Sequence, residues 1–241
     1  MTGNVRCCIS WRGERFTLLV NMAGILFIIS APSGSGKSTL VAQLRSLVEG
    51  LEFSISYTTR RSRGSEENGR EYHFTDPATF KRMAENGEFL EWAEVFGNYY
   101  GTACAALDHA RAAGKDLLLD IDVQGAKQVM EKLPEAVSIF VLPPNPEVLQ
   151  MRLRHRSEAE HMTEEEVIER RLHQARSEVK QMWDYKYALV NDVLDQAVAE
   201  MRAIVLYERG VRDGVTAMAE SCRTDPRSPR LRAVLKSFGL D

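Results

Sequence analysis

Apolar residues in this chain cluster in short unbroken runs, with stretches of helical period between them. Gly24 to Ala31, Asp116 to Ile121 and Val137 to Leu142 are the clearest runs. Runs of that length between turn residues read as strands covered on both faces, as in a parallel sheet. Gly36 to Glu49, Leu107 to Ala113, Gln124 to Lys132 and Asp195 to Glu208 instead repeat apolar residues at helical spacing. Asp76-Pro77 supplies a cap and an initiating proline for a helix over Ala78 to Glu85. Phe53 to Tyr57, Phe89 to Phe96 and Ala188 to Asn191 read as further strands, with Gly97-Asn98 as the tight turn that leads into Tyr99-Tyr100. Strand alternating with helix predicts an α/β fold: a parallel sheet core flanked by helices on both faces, with a small α+β insertion between about Tyr57 and Tyr100.

Composition narrows this picture. With 241 residues, 44% hydrophobic and 27% charged, the chain can bury one good core and a small mobile appendage. A net charge of −3 gives no general attraction to nucleic acid or to a membrane, so any basic site must be local. The longest apolar runs are too short to span a bilayer. Cys7 and Cys8 are adjacent while Cys104 and Cys222 stand alone, a spacing with no metal or disulfide framework, which fits a reducing cytoplasm. Residues 1–21 show no clear period and precede Met22, and they are expected to be a dispensable extension, disordered or not translated. Residues 209–241 are expected to form a C-terminal extension. In it the polar, proline-containing stretch Cys222 to Arg230 acts as a linker to a loosely docked helix.

The first strand runs into Ala31-Pro-Ser-Gly-Ser-Gly-Lys-Ser-Thr39. A strand, a glycine-rich turn and a helix start ending in Gly36-Lys37-Ser38 form a phosphate-binding loop. Successive backbone N–H groups face the phosphate oxygens, and Lys37 adds a mobile positive charge. Ala31 stands where the usual pattern opens with glycine, but Gly34, Gly36, Lys37 and Ser38 retain every group that meets phosphate. A second basic element follows, Ser56-Tyr-Thr-Thr-Arg-Arg-Ser-Arg-Gly64, whose Arg60, Arg61 and Arg63 can fork onto another phosphate. Asp120-Ile-Asp122 ends a strand expected near the loop, where an acidic side chain suits a metal or metal-bound water.

Taken together and in order, Ser33-Gly-Ser-Gly-Lys-Ser38, Ser56-Tyr-Thr-Thr-Arg60, Arg63, Asn68-Gly69, Glu71-Tyr72, Glu91-Trp92, Gly97-Asn-Tyr-Tyr-Gly101 and Asp120-Ile-Asp-Val-Gln-Gly125 resemble the guanylate kinases, from about Gly24 to Glu208. The resemblance implies a P-loop core over 22–208, a GMP-binding insertion over about 54–102 and a helical lid over about 150–176. It implies ATP held by Ala31, Pro32, Ser33, Gly34, Ser35, Gly36, Lys37, Ser38, Thr39 and Asn191, with Mg²⁺ near Ser38 and Asp120. Arg60, Arg63, Tyr72 and Tyr100 would take the GMP phosphate, and Ser56, Glu91 and Thr102 the guanine, with Asp122 in the same GMP set. Among the many lid arginines, Arg152, Arg156 and Arg171 align with those brought onto the transferring phosphoryl group, and Arg154 is an alternative to Arg156.

The implied reaction is transfer of the γ-phosphoryl group of MgATP to GMP, and to dGMP, without a phosphoenzyme. The implied partners are these small molecules, with no nucleic acid and no membrane, in the cytoplasm. Elementary chemistry agrees with the acceptor. A carboxylate at Glu91 can accept from guanine N1–H and its exocyclic amine, and adenine offers neither donor there. Oligomeric state is not legible: monomer and homodimer fit equally well.

Overall fold

The computed structural model describes residues 24–95, 97–159 and 165–240, without the side chains of 156–159, 166 and 167. The expected extension over 1–21 therefore lies outside the described residues. In chain order the elements are β1 (Leu26–Ser30), α1 (Lys37–Leu47), β2 (Leu51–Phe53), β3 (Tyr57–Thr58), β4 (His73–Phe74), α2 (Pro77–Glu85), β5 (Phe89–Val95), β6 (Asn98–Ala103) and α3 (Cys104–Ala112). Then follow β7 (Asp116–Asp120), α4 (Val123–Lys132), β8 (Val137–Leu142), α5 (Pro146–Ala159), α6 (Glu165–Val179), a 3₁₀ turn (Lys180–Asp184), β9 (Tyr187–Val190), α7 (Leu194–Glu208), α8 (Thr216–Ser221) and α9 (Pro229–Ser237).

Five strands form a sheet in the order β2-β7-β1-β8-β9, and four form a second sheet in the order β4-β3-β6-β5. The expected strand Phe53 to Tyr57 does not exist as one element. β2 belongs to the larger sheet and β3 to the smaller, so the chain changes sheets over Ser54 to Ser56. By its contacts the chain divides into two compact units. Among the described residues, one takes 24–26 with 52–119, and the other takes 27–51 with those from 120 to 240.

In the second unit β1 runs parallel to β8 and β8 parallel to β9, with Ile29 opposite Ile139 and Leu142 opposite Val190. Every residue of these three strands is buried. That is why they read as unbroken apolar runs, and each large side chain so buried contributes about 1.5–3 kcal/mol of transfer free energy. α7 lays Ala197, Val198, Met201, Ile204 and Val205 into the same core.

The tail differs from the loosely docked helix expected of it. Residues 222–224 run antiparallel to the start of β9, with Ala188 N–H donating to Cys222 O at 2.8 Å and Thr224 N–H to Lys186 O at 3.2 Å. This covers part of an edge strand that would otherwise expose unpaired main chain. Beyond it α9 is capped by Ser228 and buries Leu231, Val234 and Leu235, and Phe238 after it is buried as well. Burial of Cys222 pushes its thiol up to about 12, as expected of a packed and unreactive cysteine.

In the first unit β5 and β6 form an antiparallel hairpin, β6 pairs antiparallel with β3, and β3 pairs parallel with β4. Phe80 from α2 stacks on Phe89 and on Tyr99, with ring centroids 4.5 and 5.5 Å apart, and anchors the helix to the hairpin. Asp76 caps α2, accepting from Ala78 and Thr79 N–H at 2.9 Å, as the Asp-Pro pair predicts.

Candidate active site

The loop between β1 and α1 carries its function in the main chain. Gly34 and Gly36 have φ of +88° and +85°, a region closed to most side chains. A Cβ at Gly36 would also lie 2.4 Å from Asn191 Nδ2, so the position admits glycine alone on two counts. Ser35 O accepts from Asn191 Nδ2 at 2.7 Å and from Arg152 Nη1 at 3.3 Å, and Arg152 Nη2 donates to Asn191 O at 3.1 Å. The loop is therefore tied to α5 and to the end of β9.

Residues 31–39 line one cavity of about 480 Å³ together with Arg152, Asn191, Asp192 and Leu194. Every expected ATP residue is among them, and Asp192 and Leu194 join the expected set. Lys37 Nζ donates to Ile121 O at 2.9 Å and forms an ion pair with Asp120 at the end of β7. Ser38 and Thr39 stand exposed at the start of α1. Arg152 is half-buried, and burial depresses its pKa below the ordinary guanidinium value. An electrostatic preference for an anion beside it follows directly.

Asp122 caps α4 by accepting from Gly125 N–H at 2.8 Å, and its burial raises its pKa against the pull of that bond. Arg171 is buried on α6 at 5% exposure. Arg154 forks onto Glu165 at 2.9 and 2.5 Å, an ion pair between α5 and α6. Arg156 lies on α5 with its side chain outside the described residues.

The first unit carries its own set of expected side chains. The β5–β6 register, shifted by an irregularity between Phe89 and Glu91, sets Glu91 directly opposite Thr102. Thr102 Oγ1 donates to Glu91 Oε1 at 2.6 Å, with both residues at most 3% exposed. A carboxylate is expensive to bury and is kept in the fold by such donors. The same sheet places Ser56, just before β3, and Tyr100, opposite Thr58.

Arg60 is 8% exposed and forks onto Glu66 with two bonds of 3.0 Å. Its guanidinium lies 5.2 Å from the Tyr72 ring centroid, and Tyr72 meets Tyr100 edge to face at 6.0 Å. Burial opposes the charge of Arg60, but Glu66 outweighs it and holds the pKa above the ordinary value. Arg63 is exposed, with its N–H donating to Glu66 Oε2 at 2.8 Å. Glu66 was not among the expected site residues. Its only sequence signal is an acid six positions after Arg60, in a loop where arginines dominate.

A parallel α/β sheet, a glycine turn with lysine and aspartate beneath it, and arginine-bearing helices beside the cavity define a P-loop nucleotide kinase. The guanylate kinase family model matches residues 24–208. A guanylate kinase of Koribacter versatilis is 51% identical over 226 residues, spanning 90% of this chain and 97% of its own. One of Dechloromonas aromatica is 47% identical over 184 residues, spanning 76% and 89%. The crystal structure of guanylate kinase from Anaplasma phagocytophilum shares the fold with a TM-score of 0.64 at 32% identity, covering 83% of this chain and 96% of its own. The chain belongs to the guanylate kinase family.

Proposed function

We infer that this chain transfers the γ-phosphoryl group of ATP to GMP, giving ADP and GDP. The observation that carries the choice of acceptor is the buried Glu91–Thr102 pair. Its carboxylate can accept from guanine N1–H and the exocyclic amine. Adenine would leave it facing an acceptor, a mismatch worth ~10⁴ in discrimination where buried polar groups go unpaired. dGMP carries the same base and phosphate and is a second acceptor. The reaction returns GMP to the purine nucleotide pool, in the cytoplasm where both substrates are made and used.

The acceptor phosphate is already an anion and needs no general base. The work is to hold two polyanions in line and to neutralise charge as the phosphoryl group moves. The amides of residues 33–38 and Lys37 take the donor phosphates, and Asn191 with Asp192 frames the adenine. Arg152 stands beside the loop, and Arg171 and Arg156, on a lid of residues 150–176, bring further charge when the substrates are bound. Arg60, Arg63, Tyr72 and Tyr100 fix the GMP phosphate, for which Glu66 is the internal stand-in as the partner of Arg60. Ser56, Glu91 and Thr102 surround the guanine, with Asp122 in the GMP set.

The hard oxygens of Ser38 and Asp120 at the loop fit Mg²⁺, which takes few protein ligands beside phosphate and water. When bound, the ion offsets phosphate charge, and Lys37 would then exchange Asp120 for a phosphate oxygen. Exclusion of water during transfer protects ATP from hydrolysis. A coupled ADP-release assay with MgATP against GMP, dGMP, AMP, CMP and UMP tests the reading. Turnover with GMP and dGMP only is the expected result, and turnover with another base, or none, overturns it.

A further inference from the structure

The family match ends at Glu208, yet a side chain 22 positions further on bonds Val190, the residue before the cavity-lining Asn191. Arg230, at the start of α9, forks onto Glu200 of α7 with bonds of 2.7 and 3.0 Å, and Glu200 is only 4% exposed. The same guanidinium donates from Nη2 to Val190 O at 3.3 Å. That carbonyl and the Asn191 N–H belong to one peptide unit, and the N–H donates to Leu142 O at 2.8 Å. The peptide is thus held at both ends, by the sheet on one side and by Arg230 on the other. Its orientation sets where the Asn191 side chain points. That side chain donates to Ser35 O at 2.7 Å in the phosphate loop, and its backbone oxygen receives Arg152.

We propose that Arg230 is a positioning residue for the donor-nucleotide site: the C-terminal extension fixes the Val190–Asn191 peptide and, through Asn191, the phosphate loop. The proposal rests on the reading of residues 31–39 as the ATP site. Arginine suits the task because a planar fork can satisfy both Glu200 oxygens and still present an N–H to a carbonyl, whereas lysine offers a single point charge. Glu200 is the rigid support. It sits in the middle of α7, and it also accepts from Gln196 Nε2 at 3.0 Å. Every link lies in the unit that contains the phosphate loop, so the effect falls on ATP and leaves the acceptor residues of the other unit untouched.

The test compares Arg230→Lys and Arg230→Met with the unaltered full chain. Steady-state kinetics gives KM for each substrate, and titration with a fluorescent ADP analogue gives donor-site affinity without turnover. The expected result is a rise in both the ATP KM and the ADP-analogue Kd of about three- to tenfold, larger for Met than for Lys, through lost coupling along the contact chain. The GMP KM at saturating ATP should stay within about twofold of the starting value. Unchanged donor affinity in a folded variant, or equal rises in both KM values, would overturn the proposal and leave Arg230 a packing residue only. If Arg230→Met fails to fold because Glu200 is left buried and uncompensated, Arg230→Lys keeps that charge matched and decides alone. A starting protein inactive toward GMP would remove the proposed reaction, and the ADP-analogue titration would still settle the role of Arg230.

Discussion

The two units present their polar groups by different physics. The loop between β1 and α1 is shaped by its main chain, with Gly34 and Gly36 at positive φ, and the side chains nearby, Arg152 and Asn191, hold it through the Ser35 carbonyl. In the first unit the polar groups are side chains in pairs, Thr102 on the buried Glu91 and the half-buried Glu66 on the buried Arg60. Main-chain groups survive changes of side chain, so Ala31 in place of the usual glycine leaves the amides of the loop intact. Side-chain pairs tolerate little, because removing one member leaves the other buried and unsatisfied. On the proposed reading the Glu91–Thr102 pair meets the base, which differs between nucleotides, and stringency belongs there.

The largest expected break in this comparison is Lys37→Met. Lys37 is the one donor-loop side chain whose charge must follow the phosphoryl group, and kcat should fall ~10³-fold, as for other groups that meet developing charge. Circular dichroism and the melting curve should show an intact fold. Near-normal turnover would remove Lys37 from catalysis. Glu91→Gln is the matching test of the acceptor unit. It should lower kcat/KM for GMP by ~10²-fold or more with the ATP KM nearly unchanged, since one carboxylate oxygen becomes a donor facing guanine donors. An unchanged GMP KM would refute base reading by Glu91.

Much of this site was legible because its signals are local. The phosphate loop is nine consecutive residues, the α2 cap is Asp76-Pro77, and β8 matched its apolar run from Val137 to Leu142. The pairs that join distant residues were not. β3 and β4 are two residues each and exist only by pairing with each other and with β6, so no period announces them. Glu66 looks like any loop acid until Arg60 folds over it. The tail reads as a polar linker because its contacts lie far back in the chain: Arg230 bonds Glu200, 30 residues away, and Cys222 and Thr224 pair with the start of β9.

Thr102→Val sharpens the contrast at smaller cost. It keeps the shape of the side chain and removes the hydroxyl that donates to Glu91. The GMP KM should rise ~10-fold, and stability should drop by about 1.5–3 kcal/mol for a lost bond to a buried charge. Unfolding in urea with and without GMP separates the two effects. A stability loss without a change in GMP affinity would make Thr102 structural only.

The smallest effect expected lies behind the donor loop. Glu178, near the end of α6, is 8% exposed, and burial raises its pKa to about 7. Gln174 Nε2 at 2.8 Å and the Ser33 N–H work against that rise, as does Lys37, while Asp122 adds to it. The folded protein therefore keeps a proton on Glu178 that the unfolded chain releases near 4.5. Stability from this group is complete below pH 4.5, declines as the pH climbs toward 7, and is level above it, a loss on the order of 2–3 kcal/mol over the window. Urea unfolding of the full chain and of Glu178→Gln at pH 5, 6, 7 and 8 measures it. The substituted chain should have a flatter profile, and the gap between the two should widen as the pH rises. Parallel profiles would place the carboxyl in a wetter setting than its burial implies.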